Sequence, residues 1–362
     1  MAPKRGNLGD NFIIGFEGTA MTPAFEKLLT RIQPAGVILF RRNIESAEQT
    51  WQLLKDCQRQ VATPLFTCVD MEGGTVDRLR DVFGPSPSAA DVFATHDAKL
   101  FALHGKLIGA ICRTSGFNVD FAPTLDLALP PSLPVMQSRV VSADPRKVTQ
   151  YARAFLRGLA ESRVLGCGKH FPGLGEVSLD THKDLPVVKK PLRSLLAEDA
   201  EPYRVLRQEL PFVMVSHTIY AAHDAVPASL SKKWMTDILR KKLGYAGLVI
   251  TDDMEMGALQ KAAPIADATV QALRGGSDLL LICHNEDQIN RAYMAVAQER
   301  DRNHRFAAKL RHSAERIARN KKKFAKSLAA SPRPTQAKVE RLSRALWEFG
   351  ERIRLGSLEL IS

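Results

Sequence analysis

Residues 164–182 read VLGCGKHFPGLGEVSLDTH, and within them an apolar run ends abruptly in a cation and an imidazole. Residues 164–167 have the apolar character of a strand buried on both faces. Lys169 and His170 close that run. Pro172 and Gly173 then break any regular structure, so a loop follows. This stretch predicts a buried parallel strand whose carboxyl end carries polar side chains.

Seven more apolar runs of similar length lie along the chain, and helix-length segments separate them. Together they give eight candidate strands, at 12–16, 36–40, 65–70, 117–122, 165–170, 212–217, 248–252 and 279–283. The intervening predicted helices include 145–163, 192–208, 232–243 and 265–274. Eight strands alternating with helices favour an α/β fold of the (β/α)8 barrel type over a doubly wound sheet, which usually has fewer strands.

Polar residues stand at the carboxyl end of several predicted strands: Asp70, Lys169, His170, His217 and Asp252. In a (β/α)8 barrel the carboxyl ends of all strands meet at one rim, where active sites are built. Any one of these residues could be a paired group of the core, and His217 fits a satisfied core histidine equally well. The set as a whole predicts a functional site at that rim.

Two pairs of residues extend this candidate site, and each pair contains at least one aspartate. Asp180 and His182 are two residues apart, and side chains so spaced on an extended segment share a face. The carboxylate can then hold the imidazole, which makes His182 a candidate general acid/base. Asp252 and Asp253 end the run GLVITDD and supply a candidate nucleophile. Alternation along a strand predicts that only one of them faces the pocket.

The composition is that of a globular protein. The 362 residues are 45% hydrophobic and 25% charged, and no apolar run is long enough to span a membrane. The five cysteines are scattered, with no C-x-x-C pair, which indicates reduced thiols and a cytoplasmic location. The N-terminus lacks the apolar segment of a signal peptide.

The net charge of +12 is concentrated near the end of the sequence. Residues 300–362 hold 17 Lys and Arg against 6 Asp and Glu, whereas residues 1–299 are almost neutral. Apolar spacing there predicts helices at 303–329 and 335–355 with a solvated basic face. We therefore predict a catalytic barrel over 1–300 and a basic helical extension, 301–362, packed on it. No motif indicates nucleic-acid binding, although an anionic partner remains an alternative.

Five segments together resemble family-3 glycoside hydrolases in order and spacing, from about residue 12 to residue 290. They are GVILFRRNI, VDMEGGTVDRL, FAPTLDL, KHFPGLGEVSLDTH and VITDDMEMGA. Within that family the chain is similar to the bacterial β-N-acetylhexosaminidases of cell-wall recycling. The resemblance implies a retaining exo-β-N-acetylglucosaminidase that needs neither metal nor cofactor. Its substrate would be a carbohydrate with a terminal β-linked N-acetylglucosamine, such as a muropeptide or a chitooligosaccharide.

The resemblance also implies residue roles. Asp252 would form the glycosyl-enzyme, and His182, oriented by Asp180, would protonate the leaving oxygen and later activate water. The residues implied to bind the sugar are Asp70, Arg78, Arg139, Lys169, His170 and His217. The sequence departs from the family pattern at Leu174, where a His is common, and at Thr75, where an Arg is common. SRVVSADP also lacks the usual aromatic residue.

Four alternatives remain open on the sequence alone. A β-glucosidase would use the same machinery, and a glycoside phosphorylase is compatible with a histidine acid/base because a neutral imidazole does not repel phosphate. A metal-dependent barrel hydrolase could use a ligand set of histidines and aspartates: His170, Asp180, His182, His217 and Asp252. A non-catalytic protein that binds an anionic partner through its basic extension is the fourth.

Overall fold

The computed structural model describes residues 7–177 and 185–359, the last three by their backbone only. Eight parallel strands close a barrel in which each strand pairs with its neighbours in sequence and the last pairs with the first. The strands are β1 Phe12–Ile14, β2 Gly36–Ile38, β3 Phe66–Val69, β4 Val119–Asp120, β5 Leu165–Phe171, β6 Phe212–Val215, β7 Leu248–Asp253 and β8 Leu279–Ile282. The predicted (β/α)8 fold is confirmed, and every predicted strand overlaps one of these eight.

The strand pairing is regular except at two bulges. Along β7, Ile250 pairs with Leu279 but Asp253 pairs with Leu281, so three residue steps on β7 match two on β8. The same offset occurs along β5, between Gly168 and Phe171 opposite β6. An extra residue on one strand bends it and redirects the side chains at that point. Both bulges lie at the carboxyl end of the barrel.

Helices surround the barrel. Several begin after a capping side chain and with proline in the first turn, as at Thr22-Pro23 and Asp144-Pro145. The longer helices are Pro23–Ile32, Ala47–Arg59, Ala98–Thr114, Pro145–Glu161, Ile265–Gly275, Glu286–Arg302, His304–Lys323 and Gln336–Glu359, with a π-helix at Lys233–Lys242. Shorter helical segments are Leu8–Asn11, Arg41–Asn43, Arg80–Phe83, Ala89–Ala94, Leu133–Met136, Gln137–Arg139, Leu192–Ala197, Glu201–Leu206, Ala228–Leu230, Gly257–Ala262 and Ala325–Leu328.

One predicted helix is divided in two. The sequence pattern predicts a single helix over 192–208, whereas the structure has Leu192–Ala197 and Glu201–Leu206. Pro202 has no backbone N–H, and its ring would clash with the carbonyl four residues earlier in a continuous helix. The chain therefore restarts with Pro202 in the first turn of the second helix, where proline is tolerated.

The barrel interior is filled by side chains. Alternate residues of all eight strands form one buried cluster, in which the rings of Phe66 on β3 and Phe212 on β6 meet edge to face with centroids 5.1 Å apart. Lys321 lies over the Phe66 ring at 5.2 Å at the amino end of the barrel. Because side chains fill the centre of the barrel, we expect the active site at the carboxyl rim. All five cysteines are buried and free.

The two long helices after the barrel pack against it through their apolar faces. Phe306 and Leu310 of His304–Lys323, and Leu346 and Phe349 of Gln336–Glu359, are buried in the same cluster as the barrel helices. Phe349 stacks on the buried His104 ring at 5.7 Å. The division of the chain at residue 300 stays a prediction. Within the described part of the chain, no helix has the length and apolarity that a bilayer crossing requires.

Candidate active site

A cavity of about 600 Å³ opens at the carboxyl rim of the barrel. Six of the predicted site residues line it: Asp70, Arg78, Arg139, Lys169, His170 and Asp252. They come from the ends of β3, β5 and β7 and from the loops after β3 and β4. The structure thus brings together residues that are up to 182 positions apart in the sequence, although their roles in binding or catalysis stay predictions.

A buried ion network forms one side of this cavity. Lys169 Nζ lies 2.7 Å from Asp70 Oδ1 and 2.6 Å from Glu72 Oε1. Arg139 donates two hydrogen bonds of 2.9 Å to the two carboxylate oxygens of Glu72. Burial alone would raise the pKa of Glu72, but Arg139 and Lys169 hold it far below its usual value. The network therefore keeps two cations fixed at the cavity wall.

His170 is fixed by a carboxylate beneath it. Its Nδ1 lies 2.7 Å from Asp126 Oδ2, while its Nε2 is 3.5 Å from the Arg139 guanidinium. Asp126 also accepts hydrogen bonds from the backbone N–H groups of His170 and Leu174. One buried aspartate thus orients the imidazole and shapes the loop that follows β5.

Asp252 lines the cavity, and its surroundings favour the ionised form of its carboxyl group. Removal from water raises the pKa of its carboxyl, but His170, His217, Lys169 and the Asp253 backbone N–H outweigh this, so the pKa is lowered. Its Oδ1 accepts a 2.9 Å hydrogen bond from that N–H. An ionised carboxylate beside cationic and imidazole groups can act as a nucleophile toward an electrophilic carbon.

The prediction that only one of the two aspartates faces the cavity is wrong. Asp252 and Asp253 both line it. Strict alternation fails here because the β7 bulge inserts a residue between Ile250 and Asp253. The two carboxylates nevertheless differ in surroundings: Asp253 accepts the Glu255 backbone N–H and lies 3.5 Å from His284 Nδ1. Contacts with Asp253 and Glu255 raise the pKa of His284 to about 9.

Among the predicted sugar-binding residues that the structure describes, His217 is absent from the cavity wall. Its side chain is buried, with Nδ1 2.6 Å from Ser229 Oγ and Nε2 2.9 Å from the Asp253 carbonyl oxygen. Burial lowers its pKa. A neutral His217 that donates from Nε2 and accepts at Nδ1 satisfies both neighbours. The structure thus favours the core-histidine interpretation, in which His217 supports the end of β7.

Asp180 and His182 lie outside the described residues. On the amino-terminal side, the Gly173 carbonyl oxygen accepts a 2.6 Å hydrogen bond from the Tyr220 hydroxyl. On the carboxyl-terminal side, Val187–Val188 pairs in parallel with Ile219–Tyr220. Lys190 follows and bonds to Asp199 at 2.7 Å. Both neighbouring segments are therefore attached to the loop that follows β6.

Arg78 brings an unpaired guanidinium to the cavity. Its carbon Cζ lies 5.7 Å from the centroid of the Phe40 ring, and its buried Nε has no hydrogen-bond partner among the described residues. A buried donor without a partner is costly unless a ligand or water satisfies it. This observation supports the predicted role of Arg78 in ligand binding.

Sequence reasoning missed two residues of the site, Glu72 and Asp126. Both lie in segments that carry the family resemblance, VDMEGG and FAPTLDL, and the position of each acid close after an apolar run was a usable signal.

Asp253, Cys283 and His284 form a group of described residues whose ligand atoms are within 4.8 Å of one another, as a metal site would need. Asp253 and His284 already lie 3.5 Å apart, a distance compatible with an ion pair.

Comparisons with known proteins identify the family of this chain. The family profile "Glycosyl hydrolase family 3 N terminal domain" matches residues 10–319. A Beta-hexosaminidase from Bordetella avium is 37% identical over 283 residues, covering 76% of this chain and 81% of the relative. The structure of a glycoside hydrolase family 3 beta-N-acetylglucosaminidase from Paenibacillus sp. str. FPU-7 has a TM-score of 0.88 at 28% identity, covering 96% of this chain and 69% of that one. For the Beta-N-acetylhexosaminidase from Beutenbergia cavernae, the TM-score is 0.80 at 26% identity, with coverage of 88% and 98%.

Proposed function

The chain belongs to glycoside hydrolase family 3, and on that premise we propose that it is a retaining exo-β-N-acetylglucosaminidase. It removes terminal β-linked N-acetylglucosamine in two displacements through a covalent glycosyl-aspartate. The observation that carries this proposal is the position of Asp252 in the wall of the rim cavity together with Lys169 and His170, which lower the pKa of its carboxyl.

In the first displacement, Asp252 attacks the anomeric carbon while a general acid protonates the leaving oxygen. The lowered pKa of Asp252 supports this role because only the ionised carboxylate is nucleophilic. In the second, an activated water attacks the same carbon and releases Asp252. We assign the acid and base steps to His182, oriented by Asp180, on the resemblance of KHFPGLGEVSLDTH to the family motif. A free imidazole titrates near pH 6.5, close to the pH of use.

The bound sugar needs donors and acceptors in fixed positions around its hydroxyl groups. Asp70 and Glu72 are held by Lys169, and Arg139 is held by Glu72, so these groups cannot rotate freely when a substrate enters. Arg78 retains unused donor capacity among the described residues. Preorganised polar groups reject analogues that cannot satisfy them, which supports selectivity at the terminal sugar.

We assign the substrates to fragments that end in β-linked N-acetylglucosamine, either muropeptides derived from peptidoglycan or chitooligosaccharides, and the location to the cytoplasm. The names of the relatives support the sugar, and the buried free cysteines are consistent with a reducing compartment. Leu174, Thr75 and the missing aromatic of SRVVSADP separate this chain from the usual family pattern, so the leaving group is the part of the substrate to test.

The test compares release of nitrophenol from 4-nitrophenyl N-acetyl-β-glucosaminide and 4-nitrophenyl β-glucoside by the wild type and Asp252→Asn. We expect the first substrate to be cleaved, and cleavage to be lost in the variant by a factor of about 10³ or more. Cleavage of the glucoside alone would replace the assigned sugar. Cleavage of neither, or full activity in Asp252→Asn, would refute the mechanism. Turnover that requires added phosphate would identify a phosphorylase.

A further inference from the structure

We propose that Gln137 is a specificity-determining residue that binds the leaving-group sugar of the substrate. This inference rests on the proposed function. It begins from the backbone of Gln137, which has φ 48° and ψ −130°. Left-handed φ values of this kind are adopted by glycine at little cost and by a residue with a Cβ only under strain. A glycine would therefore fit position 137 better than the glutamine that occupies it.

The chain on each side of Gln137 is fixed, which maintains this conformation. On one side, Met136 is buried in the core cluster that also contains Val140 and Val148. On the other side, Arg139 is fixed to Glu72 by two hydrogen bonds. Strained backbone persists where the surrounding structure determines it on both sides, and such positions concentrate at functional sites.

The side chain of Gln137 lies where a ligand would meet it. Gln137 lines the rim cavity and is exposed, unlike Lys169 and Glu72 in the same cavity wall. Its exposed carboxamide forms no hydrogen bond to another described residue of the chain. By contrast Gln33, which also has a positive φ, uses its amide to bond the carbonyl oxygens of Thr30 and Gln60. Folding therefore accounts for the amide of Gln33 but not for that of Gln137.

The position of Gln137 selects the part of the substrate that it binds. An exo-acting enzyme holds the terminal sugar at the buried floor, next to Asp252, so the rest of the substrate extends toward the exposed rim. A carboxamide both donates and accepts hydrogen bonds, which complements the hydroxyl and acetamido groups of a second sugar. A nitrophenyl group offers no such pair of groups. Gln137 should thus favour an amino-sugar leaving group over an aromatic one.

Two substrates with the same terminal sugar test this. We compare N,N′-diacetylchitobiose with 4-nitrophenyl N-acetyl-β-glucosaminide for the wild type, Gln137→Ala and Gln137→Gly. Loss of one neutral hydrogen bond corresponds to about three- to tenfold in affinity. We expect kcat/KM for the disaccharide to fall by that factor in both variants, mainly through KM, and turnover of the nitrophenyl substrate to stay within about twofold.

The melting temperature separates binding from folding. Gln137→Gly relieves the backbone strain and should raise Tm by about 1–3 °C, whereas Gln137→Ala should not raise it. Arg163→Gly is the matched control because Arg163 also has a positive φ (59°) but stands before β5, at the opposite end of the barrel. It should change neither substrate's kcat/KM.

Equal changes for the two substrates, or no change for the disaccharide, would overturn the proposal. An unchanged Tm in Gln137→Gly would overturn the argument from backbone strain on which it stands. If the wild type cleaves neither substrate, the proposed function itself has failed. If the wild type cleaves both and the variants behave as wild type, only the assignment of Gln137 has failed.

Discussion

Asp252 and Asp253, consecutive residues at the end of β7, both line the same cavity. The bulge of β7 against β8 makes this possible, since an unbroken strand would direct them to opposite faces. The surroundings of the two carboxylates nevertheless differ, which predicts different roles for them. The pKa of Asp252 is lowered by groups that surround the cavity floor, whereas Asp253 is occupied by the Glu255 backbone N–H and His284.

Replacing Asp253 should therefore cost much less activity than replacing Asp252. We expect Asp253→Asn to retain kcat within about tenfold of the wild type, since it keeps the shape of the side chain and alters only a supporting contact. Asp252→Asn is the matched comparison on the adjacent residue. The measurement is nitrophenol release at saturating substrate, and a loss in Asp253→Asn as large as that in Asp252→Asn would contradict the division of roles.

Removing the charge of Glu72 should destabilise the fold. Glu72→Gln leaves the guanidinium of Arg139 and the ammonium of Lys169 side by side with one carboxylate fewer, and breaking a buried ion pair in this way costs about 3–5 kcal/mol. Urea unfolding measures the change. Glu351→Gln is the control, because its pair with Arg354 is exposed and screened by solvent, so its loss should leave the stability almost unchanged. Equal stability of the two variants would contradict the prediction.

Acid should weaken the fold through His104. Burial lowers the pKa of its imidazole from 6.5 to about 3. Below pH 6.5 the unfolded chain takes up a proton that the folded chain does not, so stability from this group is lost as pH falls, by up to about 1.4 kcal/mol per pH unit. The depressed pKa of Glu72 adds a loss only below its ordinary value of 4.5.

Burial lowers the pKa of both His104 and His217, so both contribute between pH 6.5 and pH 4.5, and the share of His104 is the difference between the wild type and a His104 variant. We expect the free energy of unfolding of His104→Gln to fall less steeply with decreasing pH than that of the wild type. The difference between the two slopes should correspond to the uptake of nearly one proton on unfolding. Urea unfolding at several pH values gives both slopes. The difference in free energy of unfolding between the two proteins at pH 8 gives the packing cost of the substitution, which is then subtracted. Parallel curves of free energy of unfolding against pH would show that His104 does not titrate in this window.

The helix Gln336–Glu359 should unfold together with the barrel. Phe349 is buried against His104, whereas Trp347, two residues away on the same helix, is exposed. We expect Phe349→Ala to cost about 3–5 kcal/mol and Trp347→Ala to cost less than about 0.5 kcal/mol. Thermal unfolding measures both. Similar small effects in the two variants would mean that the helix can detach without unfolding the barrel.

Chelators should leave turnover unchanged. A metal site built from the predicted ligand set would need free ring nitrogens on His170 and His217. Both ring nitrogens of His217 are bonded, to Ser229 and to the Asp253 carbonyl oxygen, and the remaining nitrogen of His170, Nε2, lies 3.5 Å from the Arg139 guanidinium. Lys169 and Arg139 would also repel a cation from the cavity. Inactivation by EDTA, with recovery on addition of zinc, would restore the metal-dependent alternative.

The barrel was predictable because its strands are buried on both faces and so appear as uninterrupted apolar runs. Strand ends were also informative: Asp70, Lys169 and Asp252 all reached the cavity. The break in the predicted helix 192–208 could have been read from Pro202. Alternation failed at Asp253 because a bulge depends on how two strands pair, which the sequence of one strand does not contain.

The partners of the charged residues were not predictable. Glu72 and Asp126 acquire their roles only when β3, β4 and β5 become neighbours in the barrel. His217 resembles the other strand-end residues in sequence, but its environment in the structure is different. Its two ring nitrogens form hydrogen bonds with Ser229 and with the Asp253 carbonyl oxygen. Gln137 gave no sequence signal because its distinguishing feature is a backbone angle.

The stacking of Phe349 on His104 has a consequence for the order of events during synthesis. The Nε2 of His104 lies 3.4 Å from Ser86 Oγ, and His104 also packs next to Gly73, in the loop that carries Glu72 and Arg78. The ribosome makes that loop before it makes the helix Gln336–Glu359. We therefore expect the loop that carries Glu72 and Arg78 to lack its supporting layer until this helix has been made, so that a nascent chain without the helix can form the barrel but not the finished cavity wall.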